Sequence, residues 1–186
     1  MHKKIKTLSS LFVAIIIVII IALTFILLKY FPIRYSEYVD YYSNEYNLEP
    51  YYVYAIIKTE SGFNPNAVSH KNACGLMQIS KDTGKWAADE IGIENYSNDV
   101  LFEPEVNIRI GCWYINWLMK EFDNDMENVT LAYNAGNGKV KQWLYDKKYS
   151  NNGRKIDTIP YNETKNFLKK VNIFYYIYKN IRSRLI

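Results

Sequence analysis

Glu60 is the residue whose setting first asks for a chemical explanation. In residues 51–65, YYVYAIIKTESGFNP, the positions Val53, Ile56, Ile57 and Glu60 follow the i, i+3, i+4, i+7 spacing of one helix face. Glu60 therefore extends an apolar, core-facing stripe. It also falls in the last turn before Gly62, where the helix dipole disfavours negative charge. Partial burial and that dipole both raise a carboxyl pKa, as a general acid working near neutral pH requires. A boundary glutamate satisfied by backbone groups would show the same spacing, so the pattern marks a candidate and nothing more.

The surrounding runs are more specific. They are Glu60-Ser61-Gly62-Phe63-Asn64-Pro65-Asn66-Ala67-Val68-Ser69, then Gly75-Leu76-Met77-Gln78-Ile79, then Ala132-Tyr133-Asn134-Ala135-Gly136. Between and after them lie Pro104-Glu105-Val106-Asn107-Ile108-Arg109-Ile110-Gly111 and Ile159-Pro160-Tyr161-Asn162-Glu163-Thr164-Lys165-Asn166-Phe167. In this order the five blocks resemble the catalytic domain of the family 1, soluble-lytic-transglycosylase-like lytic transglycosylases. The resemblance covers residues 38–177.

That resemblance implies a mainly α, goose-lysozyme-like helical domain with a cleft for peptidoglycan glycan strands. The family cleaves the β-1,4 bond between N-acetylmuramic acid and N-acetylglucosamine and leaves 1,6-anhydro-muramoyl ends. Glu60 matches its single catalytic carboxylate, acting first as acid and then as base. The resemblance makes Ser61, Met77, Gln78, Tyr133, Asn134, Tyr161 and Glu163 candidate substrate-binding residues, and it calls for no cofactor and no metal. Each also has a plainer reading. Ser61 could cap a helix end, Met77 could be simple core, Asn134 could be a C-cap and Glu163 could cap the last helix. As ligands, Met77 would offer apolar surface to a sugar face, and Gln78 would donate to and accept from hydroxyl or acetamido groups.

Several positions depart from the family pattern. Lys165 stands where arginine is usual, and lysine lacks the forked contact of a guanidinium. Phe167 replaces a common tyrosine, Cys74 a small residue, and Lys81 the usual proline. These bear on substrate detail and leave the acid in place.

The elements that must position these residues are helical. Apolar periodicity predicts helices over residues 35–46, 50–61, 79–91, 104–122, 129–135 and 139–145, with Gly136 and Gly138 breaking the chain before the last of these. A Gly-, Asn- and Ser-rich loop spans 62–75, and residues 149–159 read as an exposed loop or flap. The final helix, 162–182, carries Phe167, Leu168, Val171, Phe174 and Tyr178 on one stripe. Its Lys165, Lys169, Lys170, Lys179 and Arg182, with Arg184 beyond, form either a solvated face or a contact for an anionic wall polymer or lipid surface. The 18 tyrosines are the compositional oddity, and composition does not separate structural rings from groove-lining ones.

Ahead of this domain, residues 11–28 read LFVAIIIVIIIALTFILL, without charge, proline or glycine. At 1.5 Å per residue they span about 27 Å, close to the hydrocarbon core of a bilayer. His2, Lys3, Lys4 and Lys6 flank one side, which predicts a cytoplasmic N-terminus and an outer domain facing the cell wall. A cleaved signal peptide is the competitor, although the apolar run is long for one and no small-x-small site follows. The expected division is residues 1–30 as basic tip and signal anchor and 31–186 as extracytoplasmic domain.

The whole chain holds 23 Lys and Arg against 19 Asp and Glu, a net charge of +4. Four of the lysines lie in the first 30 residues, which contain no acid, so the remainder balances. Nucleic-acid binding therefore loses its electrostatic case. Cys74 and Cys112, 38 positions apart, fit no metal spacing, and a disulfide and two buried thiols remain equally open. The expected partners are glycan strands, the cytoplasmic membrane and, as a further class, cell-envelope machinery. Two other functions compete: a muramidase hydrolysing the same bond, which would want a second carboxylate from Asp82, Asp89 or Asp99, and a glycan-binding protein without catalysis.

Overall fold

The computed structural model describes residues 2–182, and Arg184 of the basic set lies outside the described residues. The chain divides into two units, Met1–Arg34 and Tyr35–Ile186. In the first, α1 (His2–Tyr30) contains the stretch Phe12–Tyr30, long and apolar enough to cross a membrane and buried nowhere in protein. Thr24, the polar residue of the apolar run, donates its hydroxyl to the Ile20 carbonyl, so its hydrogen is satisfied within the helix.

The second unit is a helical assembly of α2 (Ser36–Glu45), α3 (Pro50–Glu60), α4 (Lys81–Ile91), a 3₁₀ turn (Asn98–Phe102), α5 (Pro104–Glu121), α6 (Met126–Ala135), α7 (Asn137–Tyr145) and α8 (Asn162–Arg182). Its local signals follow the rules for helix ends. Pro50 and Pro104 open α3 and α5, where a missing N–H costs nothing. Ser80 caps α4 by accepting from the Thr83 N–H at 3.1 Å, and Asp125 caps α6 by accepting from Asn128 at 2.8 Å.

Those caps account for differences from the sequence reading. α4 begins at Lys81 rather than at residue 79, because Ser80 is the cap. α6 begins at Met126, three residues early, because Asp125 is. Gly138 lies within α7, and only Gly136 (φ 92°) breaks the chain. The 3₁₀ turn carries no periodicity and was not foreseen.

α3 is the central helix, with Val53, Tyr54, Ala55, Ile56 and Ile57 all fully buried. It packs chiefly on α8, where the Tyr54 ring stacks on Tyr178 at 5.3 Å. The chain leaves α3 through two consecutive left-handed residues, Gly62 (φ 59°) and Phe63 (φ 70°). That turn drops the Phe63 ring into the core beside Tyr54 and Tyr178, 6.3 Å from each. Burial of this aromatic anchor offsets the unfavourable backbone and holds the end of α3 still.

The expected flap is pinned at both ends. Ser150 and Ile156 are buried, and Asn128 donates its side-chain amide to the Arg154 carbonyl at 2.7 Å. The cysteines are free thiols, both buried. Cys112 lies in the core face of α5, and burial pushes its thiol pKa up.

Candidate functional site

A cleft of about 410 Å³ opens where the C-termini of α3 and α6, the start of α8, the face of α5 and the 62–80 loop converge. Glu60 lines it from the last turn of α3, Tyr133 and Asn134 from the last turn of α6, Gln78 from the loop and Glu163 from the first turn of α8. Five of the eight residues singled out in the sequence thus share one cavity.

The Glu60 carboxyl makes no hydrogen bond or ion pair among the described residues. Burial, and secondarily the negative charge of Glu163, push its pKa up to about 8. Burial was the expected cause; a further contribution comes from a carboxylate across the cleft. Glu163 is 63% exposed and pairs with Lys71 at 3.7 Å.

The Gly75–Gln78 turn is the part of the site most constrained by packing. Cys74 and Ile79 exchange backbone hydrogen bonds at 2.9 and 3.0 Å, closing a tight loop. Gly75 has φ 78°, and a Cβ there would run into the Asn107 amide and the Leu101 carbonyl. Asn107, fully buried, accepts from the Met77 N–H at 2.8 Å and donates to the carbonyls of Cys74 (3.0 Å) and Leu101 (2.7 Å). One amide thereby serves the Met77 N–H and the Leu101 carbonyl and gives the Cys74 carbonyl a second donor beside the Ile79 N–H. Gln78 adopts φ 49°, and its side-chain amide donates to the carbonyls of Ala67 (3.0 Å) and Gly75 (2.9 Å). Both amide hydrogens are spent on the loop, which leaves Oε1 as the atom able to serve a ligand, as an acceptor.

Tyr133 donates its hydroxyl to the Met77 carbonyl at 2.8 Å, tying α6 to this turn beside Glu60. Burial, then the Glu60 charge, raise its pKa well above that of an ordinary phenol, so it stays a donor. Asn134 makes no side-chain hydrogen bond among the described residues, so its amide is uncommitted at the cleft wall.

Three expectations change. The Met77 side chain is fully buried and lodged against Gly111, so it presents no surface to a sugar; its carbonyl, through Tyr133, is what bears on the site. Ser61 lies outside the cleft lining: its hydroxyl donates to the Ile57 carbonyl (3.2 Å) and accepts from the Phe63 N–H (3.1 Å), shaping the turn after Glu60. Tyr161 is also outside that lining, half-exposed, with its ring 5.4 Å from Trp143 and below the Lys139 ammonium.

Residues unmarked by the sequence reading complete the wall. They include His70, Lys71, Thr83, Tyr114 and Lys139. Tyr114 lies three residues beyond Gly111, the end of the Pro104–Gly111 block, and could have been found by projecting α5 onto a wheel. Asn107 stood inside that block, but its amide hub depends on a loop path that spacing does not reveal. None of Asp82, Asp89 and Asp99 lines the cleft; Glu163 is its second carboxylate.

Residues 37–156 match the family model described as the transglycosylase SLT domain. The soluble lytic murein transglycosylase of Escherichia coli K12 is 34% identical over 157 residues, covering 80% of this chain and 24% of that protein. The membrane-bound lytic murein transglycosylase C of Pectobacterium atrosepticum is 35% identical over 128 residues, covering 60% of this chain and 32% of that one. Among solved structures, the 70 kDa soluble lytic transglycosylase of Escherichia coli superposes with a TM-score of 0.75 at 32% identity, over 84% of this chain and 26% of its own. The chain therefore spans about a quarter to a third of the length of these relatives.

Proposed function

Because this chain belongs to the transglycosylase SLT domain family, we propose that it cleaves peptidoglycan glycan strands without water, with Glu60 as acid and then base. The observation that carries this reading is a half-buried, unpaired carboxyl at a cleft wall, holding its proton up to about pH 8. Relatives of up to 35% identity are lytic murein transglycosylases by name.

In the first step the Glu60 proton passes to O4 of the leaving N-acetylglucosamine as the C1–O4 bond breaks. The N-acetyl oxygen of the muramoyl sugar bonds to C1 and carries the positive charge, so no second enzymic carboxylate is needed. The Glu60 carboxylate then takes the proton of the C6 hydroxyl, whose oxygen attacks C1 and displaces the acetamido oxygen. Glu60 ends protonated, and the product carries a 1,6-anhydro bridge.

In this reading the Gln78 Oε1 accepts a hydroxyl or acetamido hydrogen, and the Asn134 amide serves the opposite polarity. Tyr133 and Ser61 hold the turns on either side of Glu60. Glu163 helps keep the Glu60 proton in place, and Tyr161 extends the rim with Lys139. α1 anchors the enzyme as a single-pass span, N-terminus in the cytoplasm and residues 31–186 facing the wall. Support for that orientation comes from the lysines before the apolar run, and support for anchoring from membrane-bound relatives.

Mass analysis of purified peptidoglycan digested by the detergent-solubilised protein tests the proposal. Ends lighter by one water than the reducing ends of hydrolysis are expected, and Glu60→Gln should bind strands while losing almost all cleavage. Reducing ends alone would make the protein a muramidase. Intact peptidoglycan would make it a binding protein.

A further inference from the structure

Three of the four tryptophans in the chain meet at one surface beside the cleft. The Trp86 ring of α4 inserts between Trp113 and Trp117 of α5, at 4.7 and 4.9 Å and nearly perpendicular to both. Tyr114 stands 6.4 Å from Trp86 and lies parallel to Trp117 at 6.1 Å. It is also a wall of the cleft, 5.6 Å from Tyr133. On α4, Thr83 lines the cleft one turn before Trp86 on the same side. An unbroken row of rings thus runs from beside Glu60 out to the surface.

Helix packing does not account for this cluster. α4 already buries Gly84, Ala87 and Ala88, whereas Trp86 remains 36% exposed. The Trp113 and Trp117 rings are half-buried. None of the three indole N–H groups donates to a protein atom among the described residues. Flat apolar faces edged by unspent donors suit a β-1,4-linked pyranose, whose axial C–H bonds form an apolar face and whose equatorial hydroxyls accept at the edge.

Resting on the glycan-cleaving reading above, we propose that Trp86, Trp113 and Trp117 form an outer sugar site continuous with the cleft through Tyr114. It takes a pyranose of the same strand beyond those held at Glu60. A strand that reaches this shelf binds through the cleft and the shelf together, while a short fragment engages the cleft alone. The site thereby biases the enzyme toward long strands.

The test uses the full-length protein in detergent with the Glu60→Gln change, so that nothing is cut, titrated with the trimer and hexamer of β-1,4-linked N-acetylglucosamine. Trp86→Leu keeps an apolar plug between the α5 indoles; it should weaken hexamer binding about tenfold and leave the trimer unchanged. Trp86→Phe, which restores a ring, should recover most of the loss. Gln78→Ala, inside the cleft, should weaken both lengths. Equal effects of Trp86→Leu on the two oligomers, no effect on either, or no binding of either overturns the shelf. Failure of the underlying reading shows separately, as the absence of anhydro ends when wild-type protein meets peptidoglycan.

Discussion

Glu163, in the first turn of α8, and Glu60, in the last turn of α3, line the same cleft, and the charge of the first helps hold the proton of the second. The two carboxylates are unequal because their surroundings are. Glu60 lies against protein, whereas Glu163 stands in solvent with the Lys71 ammonium nearby. A negative charge across the cleft disfavours a second one on Glu60, which burial already disfavours.

Replacing Glu163 by glutamine removes that repulsion, so the Glu60 pKa falls from about 8. The first step needs Glu60 protonated, so the alkaline limb of the pH–rate profile should move to lower pH. Since burial is the larger cause, the shift should be modest, and smaller in high salt. Activity below that limb should change little. A profile unmoved by Glu163→Gln at low ionic strength would remove Glu163 from the control of Glu60.

The same pKa fixes a stability trend. Folding raises Glu60 from its ordinary 4.5 to about 8, so between these values the folded state binds more protons than the unfolded state. The stability slope with pH is then negative: the contribution is complete below about 4.5 and declines steadily to about 8. Above that, wild type carries a buried charge that Glu60→Gln does not. The variant should therefore unfold later in urea at pH 9 than wild type, by on the order of 2 kcal/mol once the solvent-open mouth is allowed for, and the gap should close toward pH 4.5. A pH-independent difference would contradict the raised pKa.

How much of this was visible beforehand depended on the range of the interactions. The bounds of α3 rest on Pro50, the stripe of Val53, Ile56 and Ile57, and Gly62, all local, and the helix lies where they point. The two starts misjudged, at α4 and α6, are places where a capping side chain outside the stripe decides the first turn. Met77 and Tyr114 show the harder case. The placing of Met77 in the core and of Tyr114, which the sequence did not mark, on the cleft wall depends on how the 62–80 loop folds back over α5. That path is set by the Asn107 amide 30 residues beyond Met77, a contact with no local signature.

The Asn107 hub makes a prediction of its own. Asn107→Asp exchanges an NH₂ that serves two carbonyls for an oxygen that repels them, inside a fully buried site. Losing those bonds while burying an unpaired polar group should cost about 3 kcal/mol or more in chemical denaturation. Gly75→Ala should cost a similar amount, from the same side of the contact, because its Cβ meets the Asn107 amide and the Leu101 carbonyl at φ 78°. Since both changes act on one contact, the double variant should lose clearly less than the sum. Simple additivity would show that the turn and the hub are not coupled.

The thiols supply a test that needs no substrate. Cys74 is 4% exposed, held in the loop by its backbone exchange with Ile79, and its thiol reaches the Asn72 carbonyl at 3.4 Å. Cys112 is fully buried in α5, and its raised pKa removes the thiolate that reacts with disulfide reagents. Protein purified without reductant should therefore show almost no titratable thiol when native and two per chain when unfolded in guanidinium. Because access requires opening of the turn, Gly75→Ala should speed the reaction of Cys74 well beyond that of Cys112. Unfolded protein that releases no thiol until a reductant is added would mean a Cys74–Cys112 bridge and a different arrangement of the 62–80 loop over α5.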